Sequence, residues 1–384
     1  MSTVPQRRFN AYAKRLPPVL AALVLGLLGM VQPGVSSDGQ MFHADLRRTG
    51  VYPTRPALEG RLLWRFKAGG QVFSSPTPAA GALYIGCNDA NVYALDAATG
   101  QERWRFPTGG RVTATPAVAG GLVYAGSEDG RLYALEARSG QLAWSFDAGS
   151  PVDSSAAVAD GTVYVGSLEG TLYALEARTG RERWRYATGG QIWNLGSSPA
   201  VAGDTLLIGS GVIAGAEGHL YALDRRTGRL RWHAGAGGPV HTAAVAGGAA
   251  YFGSEDGRLY AVRLDDGAPL WSFATRGRVF STPAVDGERV VFGSLGETVT
   301  ALDARTGRPV WQLTAAATTF WSSPAVAGGV VYVGGNNTVL YALELETGRE
   351  LWRFKAAGQI RSSPAVAGGV VYVADMDGHV YALR

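Results

Sequence analysis

The chain has 384 residues, with 35 basic and 31 acidic side chains, five histidines, 54 glycines and one cysteine. Cys87, alone, excludes an internal disulfide and a cysteine-rich metal site. Arg7, Arg8, Lys14 and Arg15 carry the whole excess of positive charge; the rest balances at 31 basic against 31 acidic residues, which removes the electrostatic case for a nucleic acid partner.

Those four charges precede "VLAALVLGLLGMV", residues 19–31, an apolar run short for a membrane span and of the length of a signal-peptide core. Val35 and Ser37 are small enough to stand before a cleavage site. The expectation is therefore a signal peptide over 1–37, an exported protein (periplasmic or extracellular) starting at Asp38, and an uncleaved anchor as the alternative. No cysteine follows the apolar run to take a lipid. Residues 38–61 read as a lead-in segment and 62–384 as the folded array.

From residue 62 the chain repeats itself. Trp64, Trp104, Trp144, Trp184, Trp232, Trp271, Trp311 and Trp352 lie 40, 40, 40, 48, 39, 40 and 41 residues apart. Between each pair come, in order, a "SSPAV" segment, a "VYVGS" segment, a "LYALD" segment, a Thr-Gly turn and the Trp. Each segment is four to six residues long, rich in Val, Tyr and Leu, and bounded by Gly, Asp or Pro, which predicts strands joined by hairpin turns. Four antiparallel strands per forty residues, apolar on both faces, make a propeller blade. The "LYAL" strand occurs eight times, and the last copy stops at Arg384 before any Trp strand. "LLWRF", residues 62–66, stands unclaimed at the other end. The expected fold is all-β: an eight-bladed propeller of four-stranded blades, closed by an N-terminal strand that completes the last blade.

The turn reads Ala-x-Asp-x-x-Thr-Gly-x-x-x-Trp, as in "ALDAATGQERW" (94–104), with copies from Ala134, Ala174, Ala222, Ala261, Ala301 and Ala342. It resembles the tryptophan-docking motif of the pyrroloquinoline quinone (PQQ) repeat family, found in quinoprotein dehydrogenases and in BamB-like outer-membrane assembly proteins. "MFHADLRRTGVYP" (41–53) resembles the segment that opens such propellers. The fifth copy, "AVRLDDGAPLW", departs by placing Arg263 at the acidic position and Asp266 at the Thr. The resemblance implies that each indole packs between blades, on a small Ala and a peptide plane near the Gly of a neighbouring copy, so the eight tryptophans are structural.

The resemblance also raises PQQ held on calcium, but no residue of this sequence can be assigned as a calcium ligand or a base, and the adjacent half-cystines of such enzymes are impossible here. "DMDG" (375–378) occupies the frame of the "SEDG" turns and reads as a hairpin, not a calcium loop. "GSGVIAG" lacks the following helix of a dinucleotide fingerprint. The expectation is a noncatalytic, monomeric scaffold without cofactor, binding one or more cell-envelope proteins in the manner of BamB-type assembly factors, the outer-membrane barrel assembly machinery being the partner the resemblance implies; a quinoprotein dehydrogenase or a ligand-sensing propeller is the alternative.

Comparing the copies singles out one variable ring. Three positions before the Pro of each first strand (or the Ala replacing it) stand Phe73, Thr113, Asp153, Gly196, Val240, Phe280, Trp321 and Arg361, followed almost always by Ser, Thr or Ala, with His241 the exception. First strands are innermost, so this ring is expected at one mouth of the channel. The bland alternative is that these side chains only line the channel. The fourth repeat is longer by eight residues, split between "QIWNLGSS" and "GSGVIAGAEGHL", both expected on the same face as the ring. The candidate interaction face is Phe73, Asp153, Trp193, Asn194, Ile213, His241, Phe280, Trp321 and Arg361.

Overall fold

A computed structural model describes residues 40–192, 197–211 and 217–384. The described residues form eight four-stranded antiparallel sheets, arranged as the blades of a propeller. Blade one runs Thr77–Ala79, Ala82–Cys87, Asn91–Asp96 and Glu102–Pro107 from the inside outward, and the next six repeat that order. Blade eight joins both ends of the array: Ala365–Ala367, Val370–Ala374 and His379–Leu383 come from the last residues, and Leu62–Lys67 pairs outside them, Trp64 opposite Ala382.

Second and third strands are mostly apolar in their middle residues because each blade is covered on both faces by its neighbours. Val330–Gly334, for example, is buried at every residue. The apolar clusters accordingly lie between blades: Val291, Val299 and Ala301 of blade six pack with Val331, Val333 and Leu343 of blade seven. The tryptophans lock these interfaces. Each Trp sits opposite the motif Ala of its own blade, Ala94 facing Trp104 and Ala134 facing Trp144, just after a bulge in the outer strand. Its ring covers the motif Gly of the next blade so closely that a Cβ on Gly140 would lie 2.7 Å from Trp104. Its N–H reaches a carbonyl of that same turn: Trp64 to Ala97, Trp104 to Ala137, Trp144 to Ala177, and onward round the ring at 2.7–3.1 Å. The indoles are interblade clamps, as the motif implied.

The last clamp shows something the repeat comparison missed. Trp352 donates to the Ala57 carbonyl and covers Gly60. Residues 57–60 thus serve as the docking turn of blade eight, although they belong to the segment read as lead-in. The irregular fifth copy is compensated within itself: Arg263 and Asp266 form a two-pronged ion pair of 2.8 and 2.7 Å where other turns use an acid–Thr hydrogen bond. In the last blade, Asp375 accepts the N–H groups of Asp377, His379 and Gly358 and the Tyr381 hydroxyl. "DMDG" is a hairpin turn stitched by a buried carboxylate.

Residues 40–52 line the channel. The Val N–H on the inner edge of five blades donates to this segment: Val118 to Gln40, Val201 to Leu46, Val245 to Arg47, Val285 to Thr49 and Val326 to Gly50. Blade one has Pro78 at the equivalent place and no N–H to give. Arg48 is completely buried, its guanidinium donating to the carbonyls of Pro199, Phe42, Ser155 and Ala156. An uncompensated buried cation would be costly; four carbonyl dipoles and nearby Asp45, itself held by Thr49, offset that cost. Pro56 then meets Gly328 in a strand-one to strand-two turn, so the segment leaves the channel at the end away from the first-strand starts.

Candidate functional site

The innermost strands position the site. At the second residue after the variable position, eight hydroxyls (Ser75, Thr115, Ser155, Ser198, Thr242, Thr282, Ser323 and Ser363) circle the channel. Seven of them accept the backbone N–H of the blade before: Ser75 N–H to Thr115, Thr115 to Ser155, Ser155 to Ser198, Ser198 to Thr242, Thr282 to Ser323, Ser323 to Ser363 and Ser363 to Ser75, at 2.8–3.0 Å. The hydroxyl one residue earlier does a different task. Ser74, Ser197, Ser281 and Ser322 accept the N–H of the Gly at or next to the end of their own second strand. In blade one a Cβ on that Gly86 would lie 2.3 Å from Val112 of the next blade, whereas blade eight accommodates Ala374 there, its N–H on Ser362. The small polar residues of "SSP" are therefore demanded by the fold, and the residue before them is not.

That free position builds one wall of a pit. Phe280 stacks on Trp321 with ring centres 4.4 Å apart. The Arg361 guanidinium lies over both Trp321 and Phe73, at 5.1 and 5.8 Å from the ring centres. His241 meets the other side of Phe280 at 4.6 Å. Four blades in succession and the first thus contribute an unbroken arc, His241–Phe280–Trp321–Arg361–Phe73. Across the mouth, Thr113 donates to Asp153 at 2.7 Å. The pit is floored by Phe42 of the channel segment, ringed by the eight hydroxyls and has a cavity volume of about 80 Å³.

Burial depresses the guanidinium of Arg361 below its ordinary value and raises the carboxyl of Glu255, which lies 3.7 Å from His241 and 3.0 Å from Arg278. Away from the pit, burial pushes the Cys87 thiol up to about 12, which makes it a poor nucleophile or ligand.

The ring read from the sequence needs one correction. Val240 is not at the mouth; it is buried and covers Gly209 of the preceding blade, as Val112 and Val152 cover Gly86 and Gly126. The fifth blade is one residue short before its first strand, and His241 takes the mouth position instead. Trp193, Asn194 and Ile213, with Gly196 and Val212, lie outside the described residues. The roots of the two insertions carrying them are described, and they are joined: Gln191 and Gly211 exchange both backbone hydrogen bonds, at 2.9 and 3.0 Å.

The family resemblance raises a calcium-bound quinone at this mouth. Calcium takes about six to eight oxygen ligands, carboxylates among them. The one carboxylate among the described residues lining the pit is Asp153, already in hydrogen bond with Thr113. The aromatic faces that could sandwich a flat ring are stacked on one another and on Arg361. The donor set does not fit that group, and no chemical step is derived through it.

The solved structures similar to this chain include BamB from Moraxella catarrhalis, at 21% identity over 84% of this chain and 99% of that one, TM-score 0.69. The quinohemoprotein alcohol dehydrogenase of Comamonas testosteroni aligns at 15% identity over 92% of this chain and 81% of that one, TM-score 0.75. The computationally designed protein Ika8 aligns at 16% identity over 85% and 100%, TM-score 0.74. A dehydrogenase, an assembly factor and a designed protein share the architecture, so these likenesses establish the fold alone. No curated protein matches the chain by sequence. A family model matches residues 88–235, 216–320 and 295–384, and with the docking clamps and the closed eight-blade ring it places this chain in the PQQ-repeat propeller family described as outer membrane protein assembly factor BamB.

Proposed function

We propose that the chain is an exported, noncatalytic scaffold whose pit-bearing mouth docks a protein of the cell envelope, in a role similar to that of BamB-type assembly factors. The observation that carries this reading is the arc His241–Phe280–Trp321–Arg361–Phe73. It lies at the position where the blades differ from one another, at a mouth closed from behind by the channel segment. Aromatic and Arg side chains clustered in a rimmed depression are the composition of binding hot spots. The roots of the two insertions of blade four, Gln191 and Gly211, are paired with each other. The family's description as an outer membrane assembly factor supports the envelope as the compartment, and the charge balance beyond residue 37 agrees with a partner other than nucleic acid.

Phe280→Ala with Trp321→Ala, and separately Trp193→Ala with Ile213→Ser, should each reduce capture of the partner from a cell-envelope extract at least tenfold. Arg138→Ala with Arg178→Ala, in turns preceding the Trp strands, should not. Equal capture by all three double variants would remove the mouth as the docking face.

A further inference from the structure

The hydroxyl ring has a hydrogen-bond polarity. A Ser or Thr hydroxyl offers one O–H and two acceptor lone pairs. Around the ring a backbone N–H occupies an acceptor site on at least seven of the eight oxygens. Setting Thr242 aside, no protein acceptor for the O–H of any ring hydroxyl occurs among the described residues. All eight line the pit. The ring therefore offers converging O–H donors to whatever enters.

Arg361 adds to the same bias. Its guanidinium is held flat between Phe73 and Trp321, its one polar contact is Gln359 Oε1 at 3.2 Å, and no carboxylate among the described residues pairs with it. Its Nε is buried without a hydrogen-bond partner there. A guanidinium fixed by aromatic faces keeps its fork for a planar two-oxygen acceptor. Asp153, three blades away from Arg361, lines the pit and accepts a hydrogen bond from Thr113.

We propose that the pit is a carboxylate-recognition site, and that the partner docks by inserting a carboxylate of its polypeptide against Arg361 and the hydroxyl ring. This rests on the mouth being the docking face and names the chemistry it reads. The carboxylate comes from an acidic side chain or from a chain end; both present two coplanar oxygens and a neighbouring amide N–H.

Calorimetric titration of the purified full-length chain separates these sources. The probes are the end-capped tripeptide Ac-Gly-Glu-Gly-NH2, the free-ended Ac-Gly-Gly-Gly-OH, the neutral Ac-Gly-Gln-Gly-NH2 and inorganic phosphate. At least one carboxylate peptide should bind, and which one binds identifies the source. The glutamine peptide should not bind, and Arg361→Gln should weaken binding at least tenfold with an unchanged thermal midpoint. Arg361→Lys, which keeps the charge and loses the fork, should fall between. The proposal is overturned if neither carboxylate peptide binds, if the glutamine peptide or phosphate binds as well as they do, or if Arg361→Gln binds like the parent. Envelope-partner capture distinguishes the two levels. Capture that survives Arg361→Gln but not Phe280→Ala with Trp321→Ala leaves the docking face standing and removes the carboxylate. Peptide binding without any captured partner does the reverse.

Discussion

Trp352 and Ala57, 295 residues apart, are joined by an indole N–H to carbonyl hydrogen bond of 3.1 Å, and the same ring covers Gly60. This clamp, with the pairing of Leu62–Lys67 against His379–Leu383, closes the propeller. Gly60 has φ +63°, and a Cβ there would lie 2.6 Å from the Trp352 ring. Gly60→Val should destabilise the fold by about 1–3 kcal/mol through backbone strain and lost contact. Gly120→Val, with a similar φ but open space around it, carries the backbone cost alone and should cost less. Denaturant melts of the two variants check the difference, and equal losses would mean that the Trp352 clamp contributes nothing.

Trp144 is nearly buried, donates to Ala177 and covers Gly180. Trp144→Ala should behave as a core truncation of about 3–5 kcal/mol. Partner capture per folded molecule should be unchanged. Near-parental stability with lost capture would make this indole a contact residue.

Arg48→Met would keep much of the volume and remove donors from three buried carbonyls and the part-buried one of Phe42. Each unsatisfied group costs about 1–3 kcal/mol, so the variant should lose about 3 kcal/mol or more, read from its thermal midpoint. It should also raise hydrogen exchange at Val201, Val245 and Val285, whose N–H groups the same segment covers. Unchanged exchange would show the segment is held without this cation.

The docking turns also set an acid limit. Arg103 beside Asp96, helped by Thr99, and Arg231 beside Asp224, helped by Thr227, each hold the carboxyl at about 2, below the ordinary 3.8. A carboxylate depressed on folding stabilises the folded state above its unfolded value, and that share is lost as pH falls through the folded value. Stability should decline from about pH 4 towards pH 2. Asp96→Asn with Asp224→Asn should start lower at neutral pH and fall less steeply, as measured by thermal midpoints across that range. Parallel curves would remove these two turns from the acid response.

Blade number, strand order and the clamps were legible because each demands a residue no other position tolerates: Ala opposite the indole, Gly beneath it, Gly again where Val112 presses on Gly86. The closing turn escaped notice because residues 57–60 carry the Gly, with Ala57 standing where Ala97 does, but neither the acid nor the Thr. Its one signal is the four-residue spacing from Gly60 to Trp64, shared with Gly100 and Trp104. The misplacement of Val240 came from counting back from the Pro position through a blade one residue short. The interval of 39 between Trp232 and Trp271 records that deletion. The channel segment was illegible for a different reason. Its carbonyls do the binding, so its side chains need no period, and a buried Arg48 looks in sequence like any surface arginine. The mouth ring was readable as variable, but the stacking of Phe280, Trp321 and Arg361 depends on blade geometry that a linear comparison does not contain.

The channel segment also imposes an order on folding. Gln40 to Tyr52 reach inner strands from blade two to blade seven, and Leu62–Lys67 pairs with a strand ending at Leu383. The first part of the array to be synthesised is thus among the last able to find its partners. Until blade eight emerges, the early blades carry an unfilled axis and an unmatched terminal edge, and contacts of such sequence separation form slowly. A chain of this design must be kept from pairing with other chains for the whole length of its synthesis, and its vulnerable interval ends only when the final strand arrives.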